Sequence, residues 1–262
     1  MARFTTSDGV AIHYDFDDSA PAGQPPVVLQ HGFAVSGFLN FGGPGLIDAL
    51  ADADRRTLTI DARGHGDSDT PDDPSRYGEA RMALDTRELL DHLGLEEVDL
   101  VGYSMGSIIA VLLASEDARV RRMVLGGVGA GVVELGGLDT RQLPPDILVQ
   151  ALRAEHTAQV EHPLGQAWRA FAMSVEADLP ALASQAAAMH QAPIALDAIT
   201  AETLVLVASD DGLADRPDVL AAAIPGAQLE VLPGDHLGVV RHPRFVPAIV
   251  EFLAGERASA AE

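Results

Sequence analysis

The chain has 262 residues, of which 47% are apolar, enough for one sizeable hydrophobic core with little left for a second independent domain. No apolar run of about 18 residues marks a membrane span, Met1-Ala2-Arg3-Phe4-Thr5 lacks the apolar stretch of a signal peptide, and the lack of cysteine excludes disulfides, thiolate metal ligands and a cysteine nucleophile, so a soluble cytoplasmic protein is expected. The formal net charge is −22 and every basic residue is arginine; nucleic acid and anionic lipid are not expected partners, and the acidity reads as a solvated surface rather than a device for attracting cations.

Ala2 to Thr5 and Val10 to Tyr14 flank Ser7-Asp8-Gly9, which predicts a hairpin. Short apolar runs follow: Val27 to Gln30 ending at His31-Gly32, Thr57 to Ile60 ending at Asp61, and Val98 to Val101 ending at Gly102. Val120 to Leu125 ends in glycines, Thr203 to Val207 ends at Ser209-Asp210-Asp211, and Gln228 to Leu232 ends at Pro233-Gly234. Several are rich in Val, Leu and Ile without clean alternation, as strands buried on both faces of a parallel sheet are. Between them, Glu79 to Leu93 has a helical apolar face stopped by Gly94, Met105 to Ala114 is apolar nearly all round, and Phe245 to Leu253 gives a last amphipathic helical turn or two. Alternating strand and helix predicts an α/β fold with a mostly parallel sheet and helices on both faces.

From about Gly131 to Thr200 no strand is expected. Three helical stretches are: Asp146 to Gln159 after Pro144-Pro145, one opened by Pro163 that carries Trp168, Phe171 and Met173, and an alanine-rich one from Leu179 to Met189. The division is therefore a core of residues 1–130 and 201–262 with a helical insertion at 131–200. The tail Arg257 to Glu262 is small and polar and is expected to fray.

The strongest chemical signal is Gly102-Tyr103-Ser104-Met105-Gly106, a G-x-S-x-G pattern with a strand running in and a helix running out. A sharp strand-to-helix turn strains the serine and lifts its hydroxyl above the sheet edge. His31-Gly32-Phe33, directly after an early strand, is a candidate source of an oxyanion-binding amide; taken alone it is also an ordinary loop. With Asp61-Ala62-Arg63-Gly64-His65-Gly66-Asp67-Ser68 and the helix ending Leu93-Gly94, these features resemble the α/β-hydrolase family, in the branch with an HG-aromatic loop, over nearly the whole length.

The resemblance implies an α/β-hydrolase fold with a small helical cap and a triad in the order nucleophile, acid, histidine. Ser104 fills the first place and His236 the last, with oxyanion donors at the amides of Phe33 and Met105. The acid is Asp211, three residues beyond the small residue Ala208 that closes its strand, with Asp210 as the alternative. It further implies hydrolysis of an ester or related acyl bond on a small-molecule acyl substrate through an acyl-enzyme, without cofactor or metal. Lactone or carbon–carbon bond hydrolysis, a perhydrolase reaction, or a non-catalytic ligand-binding member remain open. Trp168 and Phe171, with Met173, can line the substrate pocket or belong to the core. The Arg63 to Ser68 segment reads as structural.

Gly126 to Gly131 hints at a nucleotide loop, but Val132 stands where its third glycine belongs. The histidines have no H-E-x-x-H spacing, and no lysine is present for a phosphate loop. Oligomeric state has no signature in the sequence.

Overall fold

Asp8-Gly9 makes the predicted turn: the Thr6 N–H donates to the Val10 carbonyl, the Gly9 N–H to that of Thr6, and Thr6 Oγ1 to Asp8 Oδ1 at 2.6 Å. In the computed structural model, which describes residues 2–21 and 23–255, this hairpin joins β1 (Ala2–Thr5) to β2 (Ala11–Asp17). The tail Arg257 to Glu262 lies outside the described residues. β2 runs past its expected end at Tyr14 because Asp15, Phe16 and Asp17 pair antiparallel with β4 (Thr57–Ile60). Hydropathy misses this extension: Asp15 and Asp17 face solvent while their backbones complete the ladder.

The other strands are β3 (Val27–Gln30), β5 (Val98–Tyr103), β6 (Val120–Gly126), β7 (Glu202–Ala208) and β8 (Gln228–Leu232). The sheet order is β1-β2-β4-β3-β5-β6-β7-β8, parallel from β4 through β8. Alternate residues of one strand enter opposite cores. Val28, Leu100, Val205 and Val207 pack with α2 (Glu79–Leu93), α3 (Met105–Glu116) and α8 (Pro217–Ala223). Val27, Leu29, Val101, Leu204 and Leu206 pack with α1 (Leu46–Asp52) and α9 (Phe245–Ala254). Burial on both faces is why these runs lack alternation, and each buried Val or Leu contributes about 1.5–3 kcal/mol. Among the described residues no helix is long and apolar enough to cross a membrane.

Arg63 ties the hairpin to the helical layer. Its side chain is fully buried, donates to both oxygens of Asp85 on α2 at 2.7 Å, and reaches Asp8 at 2.9 and 3.0 Å. The Arg63 guanidinium holds the Asp8 carboxyl well below the usual carboxylate range.

Between β6 and β7 the described residues contain no strand. They form α4 (Ala130–Glu134), α5 (Pro145–Arg153), α6 (Pro163–Ser174) and α7 (Leu179–Ala187). The stretch expected as one helix from Asp146 to Gln159 is α5 plus a separate turn at Thr157–Gln159. Arg169 of α6 explains the break. Its guanidinium donates to the Ala151 and Leu152 carbonyls at 3.1 and 2.9 Å, satisfying groups that the end of a helix leaves open.

Candidate active site

Ser104 stands between β5 and α3 with φ 53° and ψ −117°, a left-handed conformation costly for any residue with a side chain. The surroundings enforce it. The Ser104 N–H donates to the Gly126 carbonyl at 2.8 Å, and the Ser104 carbonyl accepts from the Ser107 N–H at 2.8 Å. A side chain at Gly106 would stand 1.9 Å from the Gln30 carbonyl oxygen, so only glycine lets α3 start this close to β3. Ser107 is small enough to be buried there, and its hydroxyl donates to the Gly126 carbonyl at 2.8 Å.

His236 follows β8, the strand beyond β7. Its Nε2 lies 3.0 Å from Ser104 Oγ and its Nδ1 2.7 Å from Asp211 Oδ2. Asp211 is 5% exposed, and its Oδ1 accepts the Leu213 N–H at 2.9 Å. Asp210 points elsewhere: its side chain is exposed, and its N–H donates to the Gly234 carbonyl at 2.9 Å. Two aspartates at one strand end thus face different ways, and the buried one meets the histidine. Asp235 fastens the histidine loop by accepting the Leu237 and Gly238 N–H groups at 3.1 and 2.7 Å. The Gly126 to Gly131 run also serves this loop. Gly127, at φ 66°, leaves room for the imidazole, because a Cβ there would be 2.9 Å from His236 Cε1.

The His31 loop is held by buried groups. His31 Nδ1 donates to the Gly32 carbonyl at 2.7 Å and Nε2 accepts the Ala62 N–H at 2.9 Å, linking the ends of β3 and β4. Burial keeps His31 neutral, and it pushes His65 down to about 3. His65 donates to the Arg63 carbonyl at 3.1 Å and packs against Phe33 at 5.9 Å; it supports the loop and does not touch Ser104. Neither the Phe33 nor the Met105 N–H donates to an acceptor among the described residues.

A cavity of about 310 Å³ opens on Ser104 and His236, and another of about 260 Å³ reaches His236 and Asp211. Trp168 and Phe171 of α6 line both, stacked edge-to-face at 5.9 Å, and Trp168 meets Phe33 at 6.0 Å. Both are half-buried and also pack on the main core, so cavity wall and core are the same residues. Met173 lines neither cavity and is 52% exposed, because it falls on the outer face of α6.

Two residues near the nucleophile have no signal in the sequence. The Tyr103 hydroxyl donates to the His236 carbonyl, and burial pushes that phenol far above its usual range. Asn40 Oδ1 accepts the Gly32 N–H at 2.8 Å, which leaves its amide NH₂ beside the same cavity. Elsewhere, ligand atoms of His13, Asp61 and Asp67 lie within 4.8 Å of one another. Asp61 already accepts from the amides of Gly37 and Asp67 and faces His13 Nδ1, so its oxygens are committed to the loops they hold.

Residues 25–153 match the family described as alpha/beta hydrolase fold. The chain is 29% identical over 234 residues to the poly(3-hydroxyalkanoate) depolymerase of Ectopseudomonas oleovorans, covering 80% of this chain and 79% of that protein. It is 37% identical over 118 residues to the 2-hydroxymuconate semialdehyde hydrolase of Pseudomonas putida, covering 44% and 41%. The chain spans less than half the length of several curated relatives that it matches, from 28% to 47%. Among solved structures, a hydrolase from Pseudomonas aeruginosa PA01 superposes with a TM-score of 0.76 at 27% identity, covering 97% of this chain and 98% of that one. Likeness in sequence through the nucleophile strand and likeness in fold over nearly the whole chain agree, and the chain has the α/β-hydrolase fold.

Proposed function

We propose that the chain is a serine hydrolase that cleaves an ester or related acyl bond through an acyl-enzyme. The observation that carries this reading is the unbroken line from Ser104 Oγ through His236 to the buried Asp211, at 3.0 and 2.7 Å. Asp211 keeps the proton on Nδ1, so Nε2 is free to take the hydroxyl proton as Ser104 attacks the carbonyl carbon. The tetrahedral oxyanion meets the unpaired amides of Phe33 and Met105. Collapse of this intermediate breaks the bond to the leaving group, which receives the proton from His236. Water then gives its proton to His236, attacks the acyl-enzyme, and releases the acid while Ser104 recovers its proton. The depolymerase and hydrolases among the similar proteins support hydrolysis as the reaction class.

In this reading the stretch from 131 to 200 is a cap, and Trp168 and Phe171 meet the acyl or alcohol part of the substrate. The test is labelling with a fluorophosphonate, followed by a screen of p-nitrophenyl esters of rising acyl length. The expected result is one adduct on Ser104 and no turnover by a folded Ser104→Ala protein. An adduct elsewhere, or undiminished turnover by that variant, overturns the assignment.

A further inference from the structure

The chain carries 39 acidic residues, yet none among the described residues lines the cavity that opens on Ser104. The charged residue that does is Arg241, at the end of the turn Val239–Arg241 just past His236. That turn is fastened to the histidine loop: the Val239 N–H donates to the Asp235 carbonyl at 3.1 Å, the Arg241 N–H donates to the Gly238 carbonyl at 3.0 Å, and Val239 is 1% exposed. The stem of the arginine is therefore set in the same loop that sets His236.

Its guanidinium has neither an ion pair nor a hydrogen bond among the described residues. Most of the other arginines do, and Arg244, three residues on, is held by Glu230 at 2.8 Å and Glu251 at 2.6 Å. With a net charge of −22, carboxylates are abundant, so the one arginine on this cavity stands without the partner that its neighbours have. The Tyr103 hydroxyl spends its proton on the His236 carbonyl, whereas Asn40 spends its carbonyl on the Gly32 N–H and keeps its NH₂. Beyond the serine and histidine, Arg241 and the Asn40 amide offer a ligand donors in an apolar wall. A planar, permanently charged guanidinium suits a carboxylate.

We propose that Arg241 binds a carboxylate on the substrate, so that the preferred substrates are acyl compounds with an anionic end directed to the mouth of the Ser104 cavity. This rests on Ser104 being the nucleophile. The bland acidic surface repels anions at long range, and the local cation reverses that preference at the site.

The experiment compares kcat/KM for p-nitrophenyl hydrogen glutarate with that for p-nitrophenyl valerate, which matches it in chain length without the charge. A charge-assisted bond of this kind gives at least about a tenfold difference. The ratio of the anionic to the neutral ester is expected to fall about tenfold in Arg241→Ala, to fall further in Arg241→Glu, and to be partly kept in Arg241→Lys. An equal ratio in wild type and all three variants overturns the proposal. Titration calorimetry of monomethyl glutarate into Ser104→Ala separates the two readings. Binding that is lost on adding Arg241→Ala supports the carboxylate site even if the nucleophile lies elsewhere; binding unchanged by that substitution overturns it.

Discussion

The sheet and the helical stretch between β6 and β7 meet at the site and are built on different terms. Sheet strands send alternate residues into two cores, and the carboxylate buried beside them is paired: Asp99, with a fully buried side chain, binds Arg55 at 2.5 Å and Arg121 at 2.7 Å. The helical stretch is made of short elements, three of them opened by proline and one closed by the reach of Arg169. It buries His162 Nδ1, Gln185 Nε2 and His190 Nε2 without partners, as the sheet and its loops bury His13 Nε2, Arg55 Nε, Arg56 Nε and His65 Nε2, so the regions differ in architecture and not in how well buried polar groups are satisfied. The contrast separates two demands. In the proposed function, chemistry needs atoms fixed to tenths of an ångström, and the sheet loops would supply them; choice of substrate needs a wall that can vary, and the helical stretch would supply Trp168 and Phe171.

The largest effects belong to the sheet loops. Asp211→Asn should lower turnover about 10⁴-fold, since the histidine then holds the wrong tautomer, while Asp210→Asn should cost far less. A steady-state comparison at saturating ester decides this, and a larger loss in Asp210→Asn would show that the exposed carboxylate is the working one.

Next comes stability. Arg63→Ala removes the fully buried partner of Asp85 and Asp8, leaving them only the more exposed Arg81 and Arg76, and breaking a buried pair of this kind costs about 3–5 kcal/mol. Arg153→Ala, on the exposed side of α5, should stay within about 0.5 kcal/mol. Urea midpoints measure both, and similar losses would erase the contrast between the regions.

Trp168→Ala or Phe171→Ala should alter acyl-length preference in the ester screen more than it alters stability. Loss of folding with preference unchanged would make these residues core alone.

The smallest effect lies at the seam, where Glu79 of α2 accepts the His190 N–H at 2.7 Å. Burial pushes this carboxyl up from 4.5 to about 7. Between those values the folded chain keeps a proton that the unfolded chain has lost, so this group's contribution to stability falls as pH rises from 4.5 to about 7. Glu79→Gln should therefore raise Tm more at pH 8 than at pH 5, by about 2–4 °C for each kcal/mol recovered. An equal change at both pH values would mean that Glu79 does not titrate in this window.

The α/β class, the parallel sheet and the strand–turn–helix around Ser104 were legible because each depends on residues close in the chain. Glu79 to Leu93 is a helix with the expected ends, and the interval without strands falls where composition puts it. The end of β2 was not legible, because its last pairs depend on β4, forty residues away in pairings such as Asp17 with Thr57. Nor was the break after Arg153, which depends on an arginine in the next helix.

For the candidate site, sequence by itself determined the kinds and order of the groups brought together: a serine in a tight turn, an aspartate pair after a late strand, and a histidine after the next. Apolar runs, glycines and caps are short-range, and they set which strand ends carry which side chains. Only the tertiary structure decided that Asp211 rather than Asp210 faces His236, that Tyr103 and Asn40 brace the site, that Met173 looks outward, and that Arg241 stands unpaired beside the cavity. Those facts depend on where a side chain points at a strand or helix end and on partners such as Ser104 and His236, 132 residues apart, where alternation and helical period no longer constrain direction.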